Sequence, residues 1–146
     1  MPQPIDFMRM IQQIRRRYAE SLRPLERRWM LTGNEIDVLL FLANNPGYDP
    51  ARDAVEMRGL SKSHVCKSVD ALTKRGWLAG EQDKRDRRCV HLRLLPPAVQ
   101  AVEECRLAQR AFLGTLYGGV TDDELETMER VLHKLEHNIK GGSSWR

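Results

Sequence analysis

The sequence predicts a mainly α-helical chain interrupted once by a small β-hairpin. Three observations carry that expectation. Apolar residues recur at helical spacing over most of the 146 residues. The period changes to alternation only between Trp77 and Leu94. Within that stretch Asp83, Lys84, Arg85, Asp86, Arg87 and Arg88 form an unbroken charged run, suited to the tip of a hairpin.

The first helix is expected from Ile5 to Trp29. Phe7, Ile11, Ile14, Tyr18, Leu22, Leu25 and Trp29 make its apolar stripe. Pro24 lacks a backbone donor and predicts a kink or break there. Arg15, Arg16 and Arg17 lie on its polar face and read as solvated or paired across a dimer. Thr32 and Glu35 are spaced as a capping box and open a second helix with Ile36, Leu39, Leu40 and Ala43 inward. Asn44, Asn45, Pro46 and Gly47 end it.

Asp49-Pro50 predicts a short third helix, stopped by Gly59. Ser61 is the natural cap of a fourth, with Val65, Val69 and Leu72 buried and Gly76 terminating it. Two short helices about a tight turn are a helix-turn-helix, and the charged hairpin behind them is a wing. A fifth helix is expected from about Pro97 to Leu116, with Val102, Cys105, Ala108, Phe112 and Leu116 on one side. A second capping box, Thr121 and Glu124, opens the last helix. Its Leu125, Met128, Leu132, Leu135 and Ile139 form a narrow seam, close to coiled-coil register, that predicts packing against another helix. Residues 141–146 read as a flexible tail.

Net charge is only +4, but its distribution is uneven. Residues 58–93 hold ten Lys and Arg against four acids, whereas residues 31–57 hold one Arg against five. A basic block between acidic or neutral stretches suggests an anionic partner, nucleic acid first. No segment approaches the roughly 20 apolar residues of a membrane span. The N-terminus lacks the pattern of a secretory signal. Three scattered cysteines make no disulfide framework, so the compartment expected is the cytoplasm. No Gly-rich phosphate loop, nucleophile elbow or paired catalytic carboxylates appear, so neither an enzyme nor a cofactor is expected.

Three stretches resemble the MarR family of bacterial regulators: Leu31-Thr32 at the second helix, the run Leu60 to Leu72 closing on Arg75-Gly76, and Asp83 to Arg88 as a D-x-R-D-x-R wing. The resemblance spans nearly the whole chain. It implies a winged helix-turn-helix lobe at 31–95, dimerisation helices at 1–30 and 96–140, and a homodimer on a near-palindromic operator. It also implies release by an oxidant or by a small ligand, often an aromatic acid. His64 stands where the family commonly has Thr, and Cys66 where it has Ser or Thr. Leu95-Pro96-Pro97 replaces the family's Leu-Thr cap.

On this reading double-stranded DNA is met by Ser61, Lys62, Ser63, His64, Lys67 and Ser68 on the recognition helix. Lys84, Arg85, Arg87 and Arg88 meet it from the wing. A helix start with serines suits phosphate oxygens, and Lys67 suits guanine acceptors. Wing arginines suit a narrow minor groove. Asp83 and Asp86 are expected to orient those arginines through bidentate pairs. Ile11, Leu125, Met128, Leu132, Leu135 and Ile139 are the expected dimer contacts. Cys66, beside Lys67 near a helix start, is a candidate redox thiol or a tolerated small residue. His133 and His137 stand four apart but suit the end of a helix as well as a metal, and no metal site is assigned. Two other classes remain open: a thiol redox regulator, and a winged-helix protein-interaction module without DNA binding.

Overall fold

A computed structural model describes residues 3–46, 61–87 and 90–141. Five α-helices and one two-stranded sheet are seen among them: α1 (Pro4–Trp29), α2 (Gly33–Asn44), α3 (Lys62–Lys74), β1 (Leu78–Gln82), β2 (Val90–Leu94), α4 (Val99–Leu116) and α5 (Asp122–Gly141). The short helix expected after Asp49, with its Gly59 stop, lies outside the described residues, as do Arg88 and Cys89. Chain contacts divide the molecule into two compact units, Met1–Phe112 and Leu113–Arg146. The family resemblance implies a single domain, with a lobe at 31–95 and dimerisation helices at 1–30 and 96–140.

The first unit is built on α2. Its capping box closes as expected: the Thr32 hydroxyl accepts from the Glu35 amide, and the Glu35 carboxylate accepts from the Thr32 amide, both at 3.1 Å. Ile36, Val38, Leu39, Leu40 and Leu42 are all buried, so this helix is apolar nearly all round and forms the centre of the core. Leu22, Leu31, Val65, Leu72, Trp77, Leu78, Leu92, Ala101, Val102 and Cys105 surround it. Tyr18 and Phe112 pack as tilted rings 5.3 Å apart.

Pro24 does not break α1, which runs without interruption from Pro4 to Trp29. One missing amide is tolerated because the helix continues for a further turn and buries Leu22 and half-buries Leu25 on the same side. The chain leaves α1 through Met30, whose φ of 51° is left-handed and whose side chain is exposed. The amide of Leu31 then bonds the Glu26 carbonyl at 2.9 Å.

At the other end of α3 the chain reverses through Gly76, at φ 78°. The Gly76 amide bonds the Thr73 carbonyl and the Trp77 amide bonds the Leu72 carbonyl, each at 3.0 Å. This pair of bonds is a Schellman closure, and it needs a residue without Cβ strain at position 76. β1 and β2 are antiparallel, in register Leu78↔Leu94 to Gln82↔Val90. Leu92 is buried, Leu94 half-buried and Val90 exposed, so the expected apolar face sinks into the core only at its base. Gly80 is packed tightly, since a Cβ there would come within 3.0 Å of Val90 Cγ1.

The second unit opens with the other capping box. The Thr121 amide donates to Glu124 at 3.1 Å, and the Glu124 amide donates to the Thr121 hydroxyl at 3.2 Å. Gly141 closes α5 rather than beginning a tail, and residues 142–146 lie outside the described part. Among the described residues no helix is long and apolar enough to cross a membrane.

Candidate nucleic-acid interface

Ser61 caps α3. Its Oγ accepts from the His64 amide at 3.2 Å and stands 2.9 Å from His64 Nδ1 and 3.2 Å from Ser63 Oγ. With His64 protonated on Nε2, the serine hydroxyl donates to Nδ1 and turns the other ring nitrogen outward. Lys62, Ser63, His64, Cys66 and Lys67 are exposed around that capped first turn. Lys62, Ser63, His64 and Lys67 thus stand exposed around the first turns, at the positive end of a helix dipole.

Ser68 does not join them. It is only 6% exposed and lies with Val65 and Leu72 on the face turned to the core. The spacing 65, 68, 72 continues a buried stripe, and Val69 at its margin is half-buried. Ser68 is read as turned away from Val65, Val69 and Leu72, yet it stands three residues after Val65 and four before Leu72, on the buried stripe. Its small side chain fits instead on the core-facing side of α3.

Lys84, Arg85 and Arg87 are exposed on the hairpin turn, and Arg88 falls outside the described residues. Among the described residues Asp83 forms no guanidinium pair of the kind expected. One carboxylate oxygen accepts from the amides of Arg85 (2.7 Å) and Asp86 (3.3 Å), and the other lies 2.7 Å from His91 Nε2. A short acid two residues before an amide satisfies turn backbone more readily than it reaches a mobile guanidinium. The His91 contact, aided by the two amides, holds the Asp83 carboxyl down at about 2. Gln82 closes the same turn, its Nε2 donating to the Arg87 carbonyl at 2.7 Å.

Several architectural residues went unnoticed in the sequence. Arg75 donates to the carbonyls of Met30 (2.9 Å) and Trp29 (2.7 Å), and its guanidinium lies 4.0 Å from the centroid of the Trp77 ring. It therefore ties the last turn of α1 to the end of α3. Trp29 meets Trp77 edge-on at 6.0 Å and donates through Nε1 to Glu104 at 2.6 Å, and Arg28 pairs with the same carboxylate at 3.1 Å. Arg106 reaches the Ala43 carbonyl and Asn44 at the end of α2. The Arg75-x-Trp77 spacing is the one local sign of the clamp; the other pairs join residues at least 45 positions apart.

Among the residues read as self-association contacts, Ile11 is half-buried on α1 and Leu125 half-buried on α5. Met128, Leu132, Leu135 and Ile139 are exposed by 38%, 52%, 40% and 71%. An apolar seam that no part of its own unit covers is a surface in need of a partner. Arg15, Arg16 and Arg17 are exposed, with Arg17 3.8 Å from Glu20. His133 lies 3.9 Å from Glu129, and no cluster of three or more metal-binding side chains is found among the described residues. Cys105 is enclosed by apolar packing, which with nearby Glu104 pushes its thiol up to about 11.

Residues 31–88 match the model of the MarR family. The chain is similar to the transcriptional repressor MprA of Escherichia coli K12, at 28% identity over 113 residues. That similarity takes in 73% of this chain and 64% of MprA, so the chain spans less than two thirds of that relative's length. A MarR-family regulator from Silicibacter pomeroyi has the same fold, with a TM-score of 0.79 at 20% identity over 92% of this chain and 90% of its own. A mutant of Escherichia coli MarR in complex with operator DNA superposes at 0.67, with 21% identity over 90% and 94% of the two chains. Bordetella bronchiseptica BpsR, whose DNA binding is regulated by 6-hydroxynicotinic acid, does so at 0.68 and 21% over 90% and 98%.

Proposed function

Because the chain belongs to the MarR family of winged helix-turn-helix transcriptional regulators, a family of regulators and not of enzymes, we propose that it is a sequence-specific repressor that binds duplex DNA as a homodimer. The carrying observation is the capped, exposed first turn of α3 followed directly by a turn bearing Lys84, Arg85 and Arg87. In this reading α3 enters the major groove. Lys67 and His64 address base edges there, and Ser61, Lys62 and Ser63 address phosphates. The wing arginines enter the neighbouring minor groove. Residues 31–95 form the reading lobe, and the site acts in the cytoplasm, where the DNA is.

Self-association supplies the second reading head, and a near-palindromic operator follows from two-fold symmetry. The exposed α5 seam supports that step. Release by a small aromatic or anionic molecule is supported by the BpsR parallel alone. The decisive experiment selects bound fragments from the genomic DNA and measures anisotropy against the selected and a scrambled duplex. Preference of at least about 10³-fold for the selected duplex is expected at physiological salt. Equal affinity for both would reject the reading, and a protein partner recovered instead would favour an interaction module.

A second reading adds redox control, because Cys66 is exposed on the same turn as Lys67. Peroxide should then weaken duplex binding by the wild type but not by Cys66→Ser. Unchanged binding by oxidised wild type removes this reading and leaves the first intact.

A further inference from the structure

We propose that His91 is a positioning residue for the wing: it donates to the Asp83 carboxylate and so holds that carboxylate against the backbone of the turn carrying Lys84, Arg85 and Arg87. The inference deepens the DNA-binding reading and rests on it only for its effect on affinity.

The geometry is local and convergent. Asp83 follows the last rung of the sheet, Gln82↔Val90, and His91 sits one rung further in, directly opposite Glu81. One Asp83 oxygen is committed to the turn amides of Arg85 and Asp86, and the other lies 2.7 Å from His91 Nε2. A single carboxylate therefore joins the turn backbone to the opposite strand. Its side chain is 29% exposed, against 42% for His91, so water competes with the pair but does not surround it.

The surroundings favour a donor at position 91. Glu81 across the register and Asp83 at the tip are both acidic, and Arg93 shares the face two residues on. α2, which packs on β2, carries Asp37 and also Glu35, which is taken up in its own capping box. Either neutral His91 with its proton on Nε2, or the imidazolium, can donate to Asp83. A leucine at 91 would leave the second oxygen to water and the carboxylate free to rotate off the turn. A glutamine would keep an amide donor at similar reach.

Preorganisation gives this contact its consequence. A turn already fixed before docking loses less conformational freedom when its cations meet phosphate or groove. Among the described residues, the Gln82 bond to the Arg87 carbonyl closes the other end of the same turn.

The experiment compares wild type, His91→Leu and His91→Gln by ¹⁵N relaxation of the DNA-free protein and by anisotropy with the selected duplex. In His91→Leu the order parameters of the Arg85 and Asp86 amides should fall from near ~0.85 towards ~0.6, while those of α3 stay put. Duplex affinity should drop about three- to tenfold, the scale of one net hydrogen bond. His91→Gln should restore both. Unchanged turn dynamics in His91→Leu overturns the proposal, as does failure of His91→Gln to outperform His91→Leu. If the turn loosens as expected but wild type prefers no duplex, the positioning role stands and the DNA-binding reading falls.

Discussion

The recognition helix is fixed from beneath, through Val65, Ser68 and Leu72 in the core, whereas the wing turn is fixed from within, through Gln82, Asp83 and His91. Both present cations to solvent, yet their stability has different physical sources. α3 inherits the cohesion of the apolar core and of the Arg75 clamp. In its described residues the wing turn is held by polar bonds open to water, which contribute less than apolar burial does. On the proposed reading, a base-reading surface and a groove-following one are held by different means in one lobe: the helix needs a defined register against base edges, and the wing needs reach.

The comparison breaks most visibly at Leu72, which is completely buried. Leu72→Ala should cost about 2–5 kcal/mol, read as a lowered Tm and as loss of duplex binding, because the core holding α3 is damaged. No comparable loss of Tm is expected from any single change at the wing tip. Arg75→Met comes next, at about 1–2 kcal/mol, because it leaves the Trp29 and Met30 carbonyls without their charged donor. Urea titration measures that loss, and a result equal to wild type would show that the clamp is ornamental.

Lys67→Ala and Arg87→Ala sharpen the contrast on the DNA side. The first should relax discrimination at one base pair by about 1–3 kcal/mol. The second should weaken all duplexes alike and lower the salt slope by about one unit. Reversal of the two patterns would exchange the roles assigned to helix and wing. The smallest effect is expected from acid. Asp83 is depressed from 3.8 to about 2, so its contribution is fully present above the unfolded value and disappears only as pH falls through about 2. The Arg85 amide shift should therefore show no Asp83-linked titration between pH 8 and 5. A carboxylate-linked step in that window would contradict the hydrogen-bonding pattern of the turn.

Legibility in the sequence followed the range of the interaction. Both capping boxes, the Ser61 cap, the Gly76 stop and the hairpin were readable because each is decided within a few residues. The tertiary ties were not. Glu104 with Trp29, and Arg106 with Ala43, join residues brought together only by the assembled core. Ser68 failed differently, because its position three residues after Val65 and four before Leu72 puts it on the buried stripe, not on the outer face expected for it. Asp83 failed because arginines crowd the sequence around it, while the groups nearest in space are amides and His91. The uninterrupted α1 shows tertiary packing prevailing over a local rule at Pro24.

On the proposed DNA-binding reading, burial of Ser68 beside exposed Lys62, Ser63, His64 and Lys67 divides α3 into a part answerable to folding and a part answerable to the sequence being read. Substitutions at the second group leave the core untouched, so drift there can explore new operators without first passing through unstable intermediates. A change at position 68 carries both burdens at once. The helix thus contains its own map of evolvability, and a library varied at 62, 63, 64 and 67 with 68 held as Ser should yield folded proteins of altered sequence preference.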